Sequence, residues 1–263
     1  MFNSLFVLDD IYLFLLISIF FIVISFIAIF IINKTIQFNI RRKDNPVVGN
    51  TVALITVIYG VLAGLSALYL INNNSYTADI VQREANSVAD IWRQSNWIKE
   101  PARSQIHKQL KNYLNTVINV EWPLMSSNKI VASQSGNADI DAITEDLVKY
   151  DTNKYSEILF VKDILGDTKN LYDLRQQRIL MSETMLSPEL WVVIILGTIL
   201  TLCMNFLFGM NFYFHLLSVT ATCLMLSSML FMLIALDRPF QGEFIIEPTA
   251  FQGLLSQYNE VKT

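Results

Sequence analysis

Four long apolar stretches constrain this chain more than any other feature. Residues 11–32, 51–71, 190–210 and 216–236 contain no formally charged side chain. About 20 apolar residues, rising 1.5 Å each, cross the hydrocarbon core of a bilayer as a helix. Lipid offers no partner for backbone polar groups, so all four stretches are expected to be helical. A soluble helical fold seldom needs four core helices of this length without a charge. With 53% hydrophobic and only 16% charged residues, the composition fits an integral membrane protein. The net charge of −4 argues against a nucleic-acid partner and leaves membrane lipid as the expected one.

The expected fold class is all-α, with four transmembrane helices and a central extramembrane helical domain. Three segments follow: an N-terminal transmembrane pair over 1–75, the helical domain over 76–187, and a C-terminal transmembrane pair with a tail over 188–263. The first ten residues hold no Lys or Arg, and Asp9 and Asp10 precede the first stretch. No small-residue cleavage pattern follows it, so this stretch is expected to remain as an anchor rather than leave as a signal peptide. Residues 33–50 read as a short loop that carries Lys34, Arg41, Arg42 and Lys43 against Asp44. The positive-inside rule puts such a segment in the cytoplasm and the central domain on the other side.

In the central region, Ile80, Ala85, Val88, Ile91 and Trp92 recur at helical spacing, with charges on other faces. This helix is expected to run straight out of the second span, since Asn72-Asn73-Asn74-Ser75 is a weak interruption. Pro101, preceded by Glu100, suits a helix start. That helix is expected to reach about Val120 and stop near Glu121-Trp122-Pro123. Residues 126–138 read as an exposed loop. Helices are then expected over Asp139–Leu165 and Asp167–Met185, with Pro188 opening the third span. After Asp237-Arg238-Pro239 breaks the last span, Phe240, Phe244, Ile245 and Ile246 are expected to lie against membrane or domain. Pro248 and Phe251 restart a helical tail.

No phosphate-cradling glycine loop, dinucleotide fingerprint or CxxC pair is present, so neither an enzyme nor a cofactor is expected. His107 reads as an exposed residue of a charged helix and His215 as an interfacial residue at the edge of the fourth span. Neither has the spacing of a metal site, and no metal is expected. Cys203 and Cys223 fall inside spans and read as packing residues.

The spans carry the functional signal. Ala53, Val57, Gly60, Gly64 and Ala67 form a helical stripe in the second span, with Gly60 and Gly64 in a small-xxx-small arrangement. Such a stripe either faces a pore or allows close helix packing. In the third span, Gly197, Thr201, Asn205 and Gly209 share a face. Thr201 and Asn205 read as polar packing between helices, since an amide facing lipid would be costly. No carboxylate or strong base lies in a span, which disfavours a proton-coupled transporter.

Several short motifs resemble a known family. They are Tyr59-Gly60 through Ala67, Glu84-Ala85-Asn86, Glu121-Trp122-Pro123, and Leu236-Asp237-Arg238-Pro239-Phe240 followed by Gly242. In order and spacing they resemble the bestrophin-like bacterial membrane family, and more distantly the bestrophin anion channels, over nearly the whole chain. The resemblance implies a multi-pass protein of the bacterial inner membrane, a homo-oligomer that is pentameric by analogy, and conduction of inorganic anions. It implies a pore lined by the second span, with Asn72, Asn73 and Asn74 near its mouth, and a cytoplasmic vestibule built from the central helices. That sidedness is the reverse of the one the charge rule gives. A non-conducting sensor or scaffold that binds a partner through its central helices is the alternative function.

Overall fold

The computed structural model describes residues 10–35, 38–127, 134–183, 185–242 and 245–260. Among them it contains α1 (Asp10–Thr35), α2 (Phe38–Ser95), α3 (Ala102–Thr116), a π-helical segment (Val117–Glu121) and α4 (Trp122–Ser126). These are followed by α5 (Gln134–Lys149), α6 (Tyr155–Leu180), α7 (Pro188–Phe206), α8 (Phe212–Leu236) and α9 (Thr249–Glu260). The fold is all-α, and four of its helices are long and apolar enough to cross a membrane.

The chain divides into two compact units. The first contains residues up to Asn73, Thr184–Arg238 and Gly242–Phe244; the second contains Asn74–Glu183, Pro239–Gln241 and the segment from Ile245 onward. The tail therefore belongs with the central helices, not with the C-terminal transmembrane pair. Phe240 (1% exposed) sits in the core of the second unit, and Ile246 packs against that core. Phe244 lies outside the described residues.

The first unit consists of α1, α2 as far as Asn73, α7 and α8. On α2 the row Tyr59, Ala63, Ala67 and Leu70 is buried, the i, i+4 pattern of a helix presenting one face. Its close partner is α7, where a Cβ at Gly197 would overlap the Tyr59 ring. Thr198 Oγ1 lies 3.0 Å from Tyr59 Oη and 2.9 Å from the Ile194 carbonyl. Along α1 and α8, Phe14 meets Phe231 edge-on at 5.8 Å, and Ser25 Oγ lies 3.1 Å from Cys223 Sγ. Ser187 caps α7, its Oγ accepting from Leu190 N at 3.4 Å, with Pro188 at the first helical position as its missing N–H permits.

At its described residues the basic stretch 33–50 is helical rather than a loop. α1 runs to Thr35 and α2 begins at Phe38, so Arg42, Lys43 and Asp44 lie on helix. Pro46 is tolerated inside α2 although it cannot donate to the carbonyl one turn earlier. The helix then continues without a break through Asn72–Ser75.

The second unit packs the remainder of α2 with α3, α5, α6 and α9. Its apolar core contains Val88, Ile106, Leu114, Ile143, Leu171 and Phe251. Glu100 caps α3, Oε2 accepting from Ser104 N at 3.2 Å. Two expectations fail here. One helix over Asp139–Leu165 is split by non-helical residues 150–154, and the expected break near Leu165–Asp167 lies inside α6. Asp151, Thr152 and Asn153 compete with helical bonding through their short polar side chains. Thr152 Oγ1 accepts from Lys154 N at 3.2 Å and donates to Glu157 at 2.6 Å, which sets the start of α6. Within 126–138, residues 128–133 lie outside those described. From Gln134 the chain is already helical, and Gly136 is buried.

Candidate functional site

Two features stand out, one in each unit. In the first unit, Ala53, Val57, Gly60 and Gly64 are exposed on α2, beside the buried Tyr59–Leu70 row. A Cβ built on Gly60 or Gly64 would meet nothing within 4 Å. Within one chain these glycines therefore serve no close packing, unlike Gly197. Ala67 departs from the expected stripe. It is 6% exposed and belongs to the core, because its position turns toward the buried row. Asn74 is half-buried in α2. The remaining exposed surface of α2 is bulky, with Leu54, Val61 and Leu65 each more than half exposed.

Thr201 and Asn205 are both buried on α7. Thr201 Oγ1 donates to the Gly197 carbonyl at 2.8 Å, and Asn205 Nδ2 to the Thr201 carbonyl at 2.9 Å. His215 is not interfacial. It is 1% exposed in the first turn of α8, and its Nε2 donates to the Asn205 carbonyl at 3.1 Å. Asp237 and Arg238 also leave solvent, at 4% and 5% exposure. The Asp237 carboxylate accepts from Met185 N at 3.1 Å, Leu186 N at 2.7 Å and Trp191 Nε1 at 3.3 Å. It thereby ties the start of the third span to the end of the fourth. Pro239 accepts from Ile246 N at 2.8 Å, and Gly242 turns the chain at φ 92°, a conformation glycine adopts without steric cost.

In the second unit, Glu84, Glu121, Arg175 and Arg178 are each 0% exposed and form one network. Arg178 donates to Glu84 at 2.7 and 3.1 Å and to Glu121 at 2.6 Å. Arg175 donates to Glu121 at 3.0 and 2.6 Å and to Asn137 at 2.6 Å. Tyr113 completes it by donating to Glu84. Two carboxylates balance two guanidiniums. Each charge is multiply hydrogen-bonded, which is the condition for keeping ions out of water. Burial alone would raise the Glu121 carboxyl, but Arg178 and Arg175 outweigh it and hold it below its ordinary value. Burial, then the Glu84 charge, raise the Tyr113 phenol well above its usual range, so it remains a neutral donor. The π-helical turn Val117–Glu121 adds a residue to that turn and ends on Glu121; such turns often accompany functional sites.

Trp122 packs beside the network. Its ring lies 5.4 Å from the Arg178 guanidinium carbon and meets Phe240 edge-on at 5.3 Å, and its Nε1 donates to the Ile246 carbonyl at 3.2 Å. Asn86 does not join the network. It is exposed and accepts from Gln82 at 3.1 Å. His107 is half-buried rather than exposed. It stacks on Trp92 at 3.7 Å, with Tyr258 stacked on Trp92 at 3.8 Å, and burial pushes its imidazole below the ordinary value.

The motif residues Glu84 and Glu121 were legible in sequence, but their partners Arg175 and Arg178 were not. One local signal was available: both arginines fall in register with Leu171 and Leu174 on the apolar face of α6. A charge on an apolar stripe implies a buried counter-charge.

The family model of the Bestrophin-like domain matches residues 19–251. No curated protein matches the chain. A crystal structure of a point variant of a membrane protein aligns over 93% of this chain and 96% of its own, at 11% identity and a TM-score of 0.66. A point variant of a bacterial bestrophin homologue from Klebsiella pneumoniae aligns over 93% and 97%, at 13% identity and 0.62. A further membrane-protein variant aligns over 95% and 97%, at 16% identity and 0.59. At such identities these structures establish a shared fold.

Proposed function

This chain belongs to the bestrophin-like family of multi-pass membrane proteins, and from that premise we propose that it is an oligomeric ion channel whose second transmembrane helix lines the conduction path. The observation that carries the reading is the exposed small-residue face of α2, where Ala53, Val57, Gly60 and Gly64 stand free within one chain. Open space surrounds both glycines, while the neighbouring row of the same helix is buried. A lipid-facing surface gains nothing from small residues. A helix ringed by copies of itself gains room for solvent and ions. The face carries no carboxylate, which suits a permeant inorganic anion, and the anion preference itself rests on the family resemblance. Pentameric assembly rests on the same analogy, as does residence in the bacterial inner membrane.

The test is ion flux through purified protein in liposomes, comparing chloride with potassium and sodium. The reading expects chloride-selective flux that Gly60→Phe abolishes, because a phenyl ring would fill the open space beside α2. Absence of flux from folded protein, across voltage, pH and calcium, would overturn it in favour of a non-conducting sensor or scaffold.

A further inference from the structure

The end of the membrane unit where α1 ends, α2 begins and α7 turns into α8 combines positive charge with exposed aromatic rings. Lys34 lies in the last turn of α1, which ends at Thr35, and α2 begins at Phe38. Lys34 and the Arg42-Lys43 pair therefore share this end of the unit. All three side chains are exposed, and among the described residues none forms an ion pair. Two residues beyond Lys43, the Asn45 side chain anchors the α7–α8 turn. Its Nδ2 donates to the Gly209 carbonyl at 3.1 Å, and its Oδ1 accepts from Gly209 N at 2.8 Å. A Cβ built on Gly49 would lie 3.8 Å from the Phe208 ring, so the two segments run close here as well.

The anchored turn leads directly into Phe212, Tyr213 and Phe214, which are 50%, 83% and 67% exposed. Three consecutive aromatic residues fan around the first turn of α8, so no single neighbouring helix can cover them all. Tyr213, whose ring carries a polar tip, suits the layer where head groups meet acyl chains, and Phe212 and Phe214 suit the apolar side of that layer. Lysine and arginine in that layer attract anionic head groups electrostatically.

We propose that this end of the unit binds anionic phospholipid, with Lys34, Arg42 and Lys43 pairing with head-group phosphate and the α8 aromatic residues seated at the head-group boundary. The occupant is a lipid rather than a free anion, because the basic residues stand at the end of two spans beside rings that favour an amphiphilic environment. Asp44, also exposed, tempers the charge without cancelling it.

The experiment incubates the full-length protein in detergent with equimolar phosphatidylglycerol and phosphatidylcholine and counts retained lipid by native mass spectrometry. Each basic residue near the bilayer contributes about fivefold to anionic-lipid affinity. The wild type is expected to retain phosphatidylglycerol by about tenfold or more over phosphatidylcholine. The Lys34→Gln/Arg42→Gln/Lys43→Gln variant should bring the ratio to about twofold or less, and Lys34→Arg/Arg42→Lys/Lys43→Arg should keep it high. The matched change Lys108→Gln/Lys162→Gln/Lys169→Gln, in the other unit, should leave the ratio intact. Excess inorganic phosphate should not displace the lipid. The proposal is overturned by equal retention of both lipids in the wild type, by a preference that survives the first variant, or by one lost equally in the matched variant. Displacement by inorganic phosphate would identify a free-anion site and overturn it as well.

Discussion

Replacing Arg178 with methionine removes the guanidinium that joins both buried carboxylates while keeping much of its aliphatic volume. The two glutamates are affected differently. Glu121 keeps Arg175 at 3.0 and 2.6 Å, whereas Glu84 is left with Tyr113 alone. Both carboxylates are 0% exposed, so water cannot replace the lost donors. Removing one partner from a buried pair costs about 3–5 kcal/mol, a large share of the roughly 5–15 kcal/mol that keeps a domain folded. Adding Glu84→Gln removes the stranded charge, since an amide still accepts from Tyr113. The double variant should recover to within about 1–2 kcal/mol of wild type, because replacing both partners of a buried pair is often close to neutral. Chemical unfolding in detergent, followed by fluorescence of Trp122 beside the network, reads these differences. The reasoning fails if Arg178→Met loses less than about 1 kcal/mol, or if Glu84→Gln makes the single variant worse rather than rescuing it.

Other parts of the structure make separate predictions. Gly136→Ala places a methyl 2.5 Å from both Arg175 Nε and Glu121 Oε1, so it should destabilise the protein by about 1–3 kcal/mol; a neutral effect in the same unfolding assay would contradict the close approach. Glu157 is held at about 2, first by the Thr152 hydroxyl and then by the Tyr150 phenol. With its folded value below the unfolded value of about 4.3, the stability it contributes is complete above that value and fades as pH falls toward 2. NMR titration of its carboxyl carbon should show this, and Thr152→Ala should raise the midpoint; titration near 4 in the wild type would refute the assignment. Asp237→Ala removes the carboxylate accepting from Leu186 N and Trp191 Nε1. It should lower thermal stability in detergent by about 1–3 kcal/mol, whereas an unchanged Tm would argue against the tie.

The four spans were legible because hydropathy is a sum over a window, and no local ambiguity alters a 20-residue apolar run. The continuity of α2 was legible for a related reason: three asparagines weaken a helix without ending it. The break between α5 and α6 was missed because the competing bonds run from Thr152 and Tyr150 to Glu157, and periodicity does not register such capping. Charge pairing was the least legible. Arg178 and Glu84 lie 94 residues apart, and nothing local to either names the other. His107 reads as exposed from its charged helix and His215 as interfacial from its place at the edge of a span, but their environments are set by Trp92 and Asn205, which only the tertiary fold brings near. Ala67 shows the limit of reading one stripe from spacing. A heptad step drifts around a straight helix, and by Ala67 the small-residue face has turned into the core.

Thiol accessibility under current recording decides whether α2 lines the conduction path. In a background where Cys203 and Cys223 are replaced by serine, cysteines are placed singly at Ala53, Gly64 and Leu65, and a charged methanethiosulfonate reagent is applied. Modification at positions 53 and 64 should block chloride current, while modification at 65, on the bulky face, should leave it unchanged. Block at 65 with no effect at 53 or 64 would put the path on another face of the helix.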